Sequence, residues 1–238
     1  YILIPFIGFA VSWLVMHRKL WRVKGEWQRA KDFWQFNPGV VAFTVVAVVG
    51  SRVDTILTAR LIDLSAVGIY SLVNQITSIL PQLTGAVGAV TSPKFASFSS
   101  KKVNLSYTIK ALQLAIILAA LTTLVVIPLA WIIIHFSGPD YSSAWGPLIP
   151  LLIAMAIFLA TSPIRDSIMY YFGRPGFFTY VGIVHTAQMV ILGWWWILLW
   201  GIIGAAYTVL AGQITIAAMS IGYYWYRHVK ENGQLKNG

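Results

Sequence analysis

Arg52 and Asp54 stand two residues apart in the run Val49-Gly50-Ser51-Arg52-Val53-Asp54-Thr55, inside a stretch otherwise apolar enough for a membrane. Ionisable groups at such depth are costly and mark a polar pathway or a paired site. On a helix starting at Pro38, Arg52 lies about 21 Å along the axis at 1.5 Å per residue, past the midplane of a bilayer. A guanidinium there needs water or an anionic partner, so Arg52 is expected to line a cavity. A two-residue step turns about 200° around a helix and keeps the two charges off a common face. One can line a cavity while the other turns into the bundle. Asp54 aligns with Ser51 and Thr58, and Arg52 with Thr55 and Ala59, while Arg60 near the end of the run can snorkel.

Asn74 and Gln75 lie about 12–14 Å into the next apolar segment, level with Arg52. With Thr77, Ser78, Gln82 and Thr84 they make that segment unusually polar. Arg165-Asp166 follows Pro163 in a later segment, and His185 and Gln188 lie one turn apart in the one after it. The candidate cavity residues are therefore Arg52, Asp54, Asn74, Gln75, Arg165, His185 and Gln188. A second reading stays open for most of them: hydrogen bonding between helices for the amides and His185, and an interfacial ion pair for Arg165-Asp166.

Catalysis is not written here. The histidines at 17, 135, 185 and 228 have no metal-ligand spacing. No phosphate-cradling glycine loop is present, and Asp140 stands alone in its loop where glycosyl chemistry would need paired acids. With no cysteine, thiolate metal sites and disulfides are excluded. Neither a cofactor nor a metal is expected.

The elements that hold these residues follow from composition. Of 238 residues 58% are apolar and only 10% charged, where a soluble domain carries about 25% charged residues. That excludes a soluble enzyme, a disordered chain and a disulfide-stapled secreted domain, and predicts an all-α polytopic membrane bundle. Seven spans are expected, at about 2–16, 38–61, 66–91, 109–135, 146–171, 177–199 and 201–226, with kinks at Pro81 and Pro128. The last two spans, parted only by Trp200-Gly201, predict a tight hairpin. Gly201, Gly204, Ala205, Ala206, Gly212, Ala217 and Ala218 then allow close packing along the last span. Because the chain opens on Tyr1 and an apolar run, it is expected to be a fragment.

Charge sets the orientation. Lys and Arg, 17 against 7 acids, gather after the first, third, fifth and last spans. The alternate loops Leu61–Ser65, Phe136–Trp145 and Trp200–Gly201 hold none. This asymmetry predicts basic loops and a C-terminus in the cytoplasm, and it accounts for the net +10 without a nucleic-acid partner. His17–Phe36 interleaves basic residues with Trp21, Trp27, Phe33, Trp34 and Phe36 and predicts a helix on the membrane surface, in contact with lipid headgroups. The expected organisation is 1–37, the end of a linker span plus this segment; 38–226, a six-helix lobe; and 227–238, a cytoplasmic tail.

The ordered set Ser51-Arg52-Val53-Asp54-Thr55-Ile56-Leu57, Ala66-Val67-Gly68-Ile69-Tyr70-Ser71-Leu72 and Thr91-Ser92-Pro93-Lys94 resembles the polysaccharide transporter (O-antigen flippase-like) family. The loop Gly138-Pro139-Asp140-Tyr141-Ser142-Ser143-Ala144 and the run Gly201-Ile202-Ile203-Gly204-Ala205-Ala206 are similar to that family's later motifs. The resemblance implies a transporter of two six-helix lobes, of which this chain would be the second lobe plus one preceding helix. It implies alternating access and the movement of isoprenoid-diphosphate-linked oligosaccharides across the bacterial cytoplasmic (inner) membrane for surface polysaccharide biosynthesis. Arg52 would face the diphosphate or the sugars. Polysaccharide polymerase and assembly proteins would be further partners. Two other classes stay open: a cation-coupled multidrug exporter of the same superfamily, which would need Asp54 to titrate or bind sodium, and a membrane-embedded non-transport protein.

Overall fold

The computed structural model describes residues 8–14, 41 and 44–234, with side chains as far as 229. The chain divides into two compact units, Tyr1–Pro38 and Gly39–Gly238. In the first, helix α1 (8–14) carries Phe9 and Trp13, whose rings stack at 6.3 Å. The basic-aromatic segment His17–Phe36 and the start of the second expected span at Pro38 lie outside the described residues.

The second unit is helical, with no strand among the described residues. Its helices are α2 (44–50), α3 (Val53–Leu61), α4 (Leu64–Thr77), α5 (Ile79–Ser97), α6 (Lys101–Ser137), α7 (Trp145–Ala160), α8 (Ser162–Asp166), α9 (Pro175–Trp200) and α10 (Ile202–Gln234). Five stretches are long and apolar enough to cross a membrane: Leu64–Ser97, Lys101–Ser137, Pro139–Ala160, Pro175–Trp200 and Ile202–Val229. They coincide with the third to seventh expected spans, and the chain is a multi-pass membrane protein. Of the second expected span the described part is a broken pair, α2 and α3.

Three spans are interrupted, each for a local reason. Between α2 and α3 the chain tightens into a turn, Arg52 N donating to Val49 O three residues back at 3.1 Å. Between α4 and α5 the break falls at Ser78. Pro81 lacks the N–H that would bond the Thr77 carbonyl, so the ladder fails there. The expected fifth span stops at Thr161, because Pro163 removes the bond to Leu159 and opens the one-turn α8. A π-helical turn, Ser167–Tyr171, then leads out of it. By contrast α6 runs unbroken through Pro128.

The core gathers on α7, whose Leu148, Leu151, Leu152, Ala154 and Leu159 are fully buried. This helix packs against α4, α5, α6 and α10. The opposite face of α6, with Leu114, Ile117, Leu121 and Leu124, is exposed, as suits contact with lipid chains. The hairpin of α9 and α10 turns on Gly201, at φ +59°, a conformation only glycine adopts without strain. At Gly204 an added Cβ would lie 1.9 Å from the Trp196 carbonyl oxygen. The two helices are thus in backbone contact, as the small residues predict. A buried polar knot joins three elements elsewhere: Asn104 of α6 bonds Ser167 of the π-helical turn at 3.0 Å and accepts from Tyr224 of α10 at 3.3 Å.

Candidate functional site: a polar cavity within the bundle

A cavity of about 860 Å³ opens within the second unit, and every helix from α2 to α10 except α6 contributes to its wall. Two of the three helix interruptions, Ser51-Arg52 and Ser78, sit in that wall, and the third leads into Arg165 beside it. Backbone that leaves helical geometry at membrane depth is tolerated where it lines a water-filled space. Half-helix ends facing a cavity are a recurrent way of building polar ligand sites in transporters.

Of the seven residues singled out by sequence, Arg52, Asp54, Asn74, Gln75, Arg165 and His185 line this one space. Gln188 does not. The cavity face of α9 runs through Phe178, Val181, Gly182, His185, Thr186 and Met189, at helical spacing. Gln188, three residues past His185, falls beyond the edge of that stripe and is half-buried between helices.

The regular helical step that would keep Arg52 and Asp54 off a common face does not hold across the turn at Arg52. Both reach the cavity. They differ in how they are held. The Arg52 side chain is exposed and makes no hydrogen bond among the described residues, though its charge acts on the nearby Asp54 carboxylate. Asp54 is 7% exposed; its Oδ2 accepts from Tyr70 Oη at 2.8 Å, and its Oδ1 accepts from Thr55 N at 2.7 Å. The carboxylate therefore clamps α3 to α4, while the guanidinium remains open to a ligand.

Arg165 and Asp166 are likewise neighbours that turn apart. Arg165 donates through Nη2 to the Phe158 carbonyl at 2.7 Å and lies 3.8 Å over the Phe158 ring. Asp166 accepts from Thr91 Oγ1 at 2.6 Å, joining α8 to α5. Each charge has its own partner on another part of the bundle.

Sequence reasoning missed Gln213, Thr186 and Phe158. Gln213 was legible as the one amide in the stretch 202–229 of α10, whose small residues were read only for packing. Gly50 brings α2 against α9: a Cβ there would come within 2.7 Å of Thr186 Oγ1. His185 lies against Gly212 of α10, whose added Cβ would meet Nε2 at 2.6 Å. Its Nε2 is buried without a hydrogen bond among the described residues, as is Thr186 Oγ1. The wall is mostly apolar, with Met155, Met189, Val209 and Ile216 among its residues, and carries one guanidinium that makes no hydrogen bond together with several amides and hydroxyls. Such a space can hold a hydrated, anionic, hydroxyl-bearing group inside the bilayer.

A family profile described as polysaccharide biosynthesis protein matches residues 1–150 of the chain, a stretch that includes Arg52, Asp54, Asn74 and Gln75. Comparison with curated proteins and with solved structures finds no match.

Proposed function

The chain belongs to this family of polysaccharide biosynthesis proteins, and from that premise we propose that it forms part of a flippase for lipid-linked oligosaccharides. In this reading it moves isoprenoid-diphosphate-linked glycan units across the bacterial cytoplasmic membrane, by a cavity that opens alternately to each side. The observation that carries the proposal is the cavity itself, about 860 Å³ of space within the helical bundle whose mostly apolar wall carries a set of polar side chains, with Arg52 open to it.

The physical problem is that a diphosphate-sugar head is charged and heavily hydrated, and about 30 Å of hydrocarbon is a forbidding barrier to it. A wet cavity replaces its hydration while the isoprenoid chain stays in lipid. Arg52 suits the diphosphate, since a guanidinium offers a planar pair of N–H donors to two phosphate oxygens. Asn74, Gln75 and Gln213 carry both donors and acceptors for sugar hydroxyls. The basic loops and the C-terminus face the cytoplasm in this proposal, following the charge asymmetry.

The test is complementation in a bacterium lacking its own glycan flippase, using the complete gene. Wild type should restore arrival of lipid-linked oligosaccharide at the outer leaflet. Arg52→Ala, inserted to wild-type levels, should abolish it. Export at the wild-type rate by that variant removes Arg52 from the mechanism. Failure of both, with drug resistance that depends on Asp54, would transfer the cavity to a cation-coupled exporter.

A further inference from the structure

A second, smaller pocket of about 280 Å³ lies at the far end of α6, away from the polar cavity. Its wall is made by Trp131, Ile134 and His135 of α6, Gly138, Pro139 and Ser142 of the following turn, and Trp145 at the start of α7. Gly138, at φ +105°, lets the chain reverse here as no residue with a Cβ readily does. The 3-10 turn Pro139–Ala144 then folds back over the helix end. Its anchor is Ala144, fully buried in the core.

The rings in this pocket form a platform. Trp131 and His135 stack at 5.4 Å with only 4° between their planes, and Trp131 is 57% exposed. Trp residues at membrane interfaces are common as single anchors. Here two of them, from separate elements, converge on one concavity that also holds the Ser142 hydroxyl and the His135 imidazole. Concave sites with aromatic walls and a few placed polar groups are the general form of small-ligand pockets. At 280 Å³ the space is just below the roughly 300–1,000 Å³ of sites for drug-sized ligands, which suits one ring rather than a chain.

Charge narrows the ligand further. The loop Phe136–Trp145 has no Lys or Arg, and its one charge is the Asp140 carboxylate. A phosphate would find no cation there. A neutral ring with one apolar face and a rim of hydroxyls would find a flat aromatic surface, ring N–H donors and a hydroxyl. We propose that the pocket of Trp131, His135, Ser142 and Trp145 is a binding site for a single pyranose ring, at the end of the bundle away from the basic loops. Its place would let it receive a sugar of the glycan as the head leaves the central cavity. The choice of a sugar rests on the glycan export proposed above.

Saturation-transfer NMR tests this on the full protein in nanodiscs of phosphatidylethanolamine and phosphatidylglycerol, with methyl glycosides of glucose, galactose and N-acetylglucosamine as probes. At least one pyranoside should receive saturation at its ring C–H protons. That transfer should fall about tenfold in Trp131→Ala, the equivalent of about 1.4 kcal/mol, and survive in Trp131→Phe. Transfer to none of the three, equal transfer in Trp131→Ala, or displacement by phosphoethanolamine overturns the site. A signal lost in Arg52→Ala instead would belong to the central cavity and also overturns it. Absent pyranoside binding with Arg52-dependent export intact would sink this pocket alone, whereas binding without export would sink the transport reading.

Discussion

Two Arg–Asp sets lie within the helical bundle of this protein, and they use the same two side chains in opposite ways. At Arg52 and Asp54 the carboxylate is tied into the bundle by Tyr70 and Thr55, and the guanidinium is left open to the cavity. At Arg165 and Asp166 both charges are tied, the cation to Phe158 and the carboxylate to Thr91. A charge in a membrane protein is therefore not by itself a ligand site. What separates the two arginines is whether the surrounding carbonyls and rings have already engaged the donors. In the transport reading proposed above, the first set meets the ligand and the second holds the wall of the space it enters.

The contrast is broken most severely by removing the engaged cation. Arg165→Ala deletes a charged hydrogen bond and a close cation–ring contact and leaves a gap beside Phe158. It should lower stability by about 2–3 kcal/mol, read as an early thermal transition of the purified protein in detergent. A thermal midpoint like wild type would mean that Arg165 is as open as Arg52. Next comes Tyr70→Phe, which leaves Asp54 Oδ2 without its partner in a buried site. It should cost about 1–2 kcal/mol, the upper part of the range for hydrogen bonds between membrane helices. Asp54→Asn in the same background should show little additional loss, because the two groups act as one clamp. Full additivity would show that they do not. Thr91→Val removes the partner of Asp166 but keeps the shape of the side chain. About 1 kcal/mol of destabilisation is expected, and none at all would mean that water serves Asp166 equally well.

Much of this arrangement was legible in the chain itself, for reasons that can be traced. Long apolar runs and their flanks placed the five long spans, since a bilayer demands that length and apolarity. Gly204 was legible because close helix approach leaves room only for small side chains. Motif runs noted separately in sequence turn out to touch: Asp54 bonds Tyr70, and Thr91 bonds Asp166. Their joining depends on how α3, α4, α5 and α8 pack, which local sequence does not encode. Gln188 and Gln213 show the same limit. Polarity announced both, but only the rotation of each helix decides which faces the cavity. The break at Arg52 was marked only by the Gly50-Ser51 pair just before it, which was read as part of a continuous helix. Regular helical geometry therefore kept Arg52 and Asp54 off a common face, a step that does not hold across the turn.

The smallest expected stability effect sharpens the comparison most. The Arg52 side chain is exposed and makes no hydrogen bond among the described residues, so truncating it costs the folded bundle only a solvent-screened attraction to the Asp54 carboxylate. Arg52→Ala should leave the thermal midpoint within the equivalent of about 0.5 kcal/mol, as for a surface change away from any structural feature. Arg52→Lys should be equally silent. In the complementation assay the two should part: the ammonium keeps the charge but not the planar fork, so Arg52→Lys should recover a minor share of export and Arg52→Ala none. Equal export by both would reduce Arg52 to a general positive potential. A destabilisation of Arg52→Ala as large as that of Arg165→Ala would erase the distinction between the cation that waits and the cation that holds, and with it the reason for placing the ligand at Arg52.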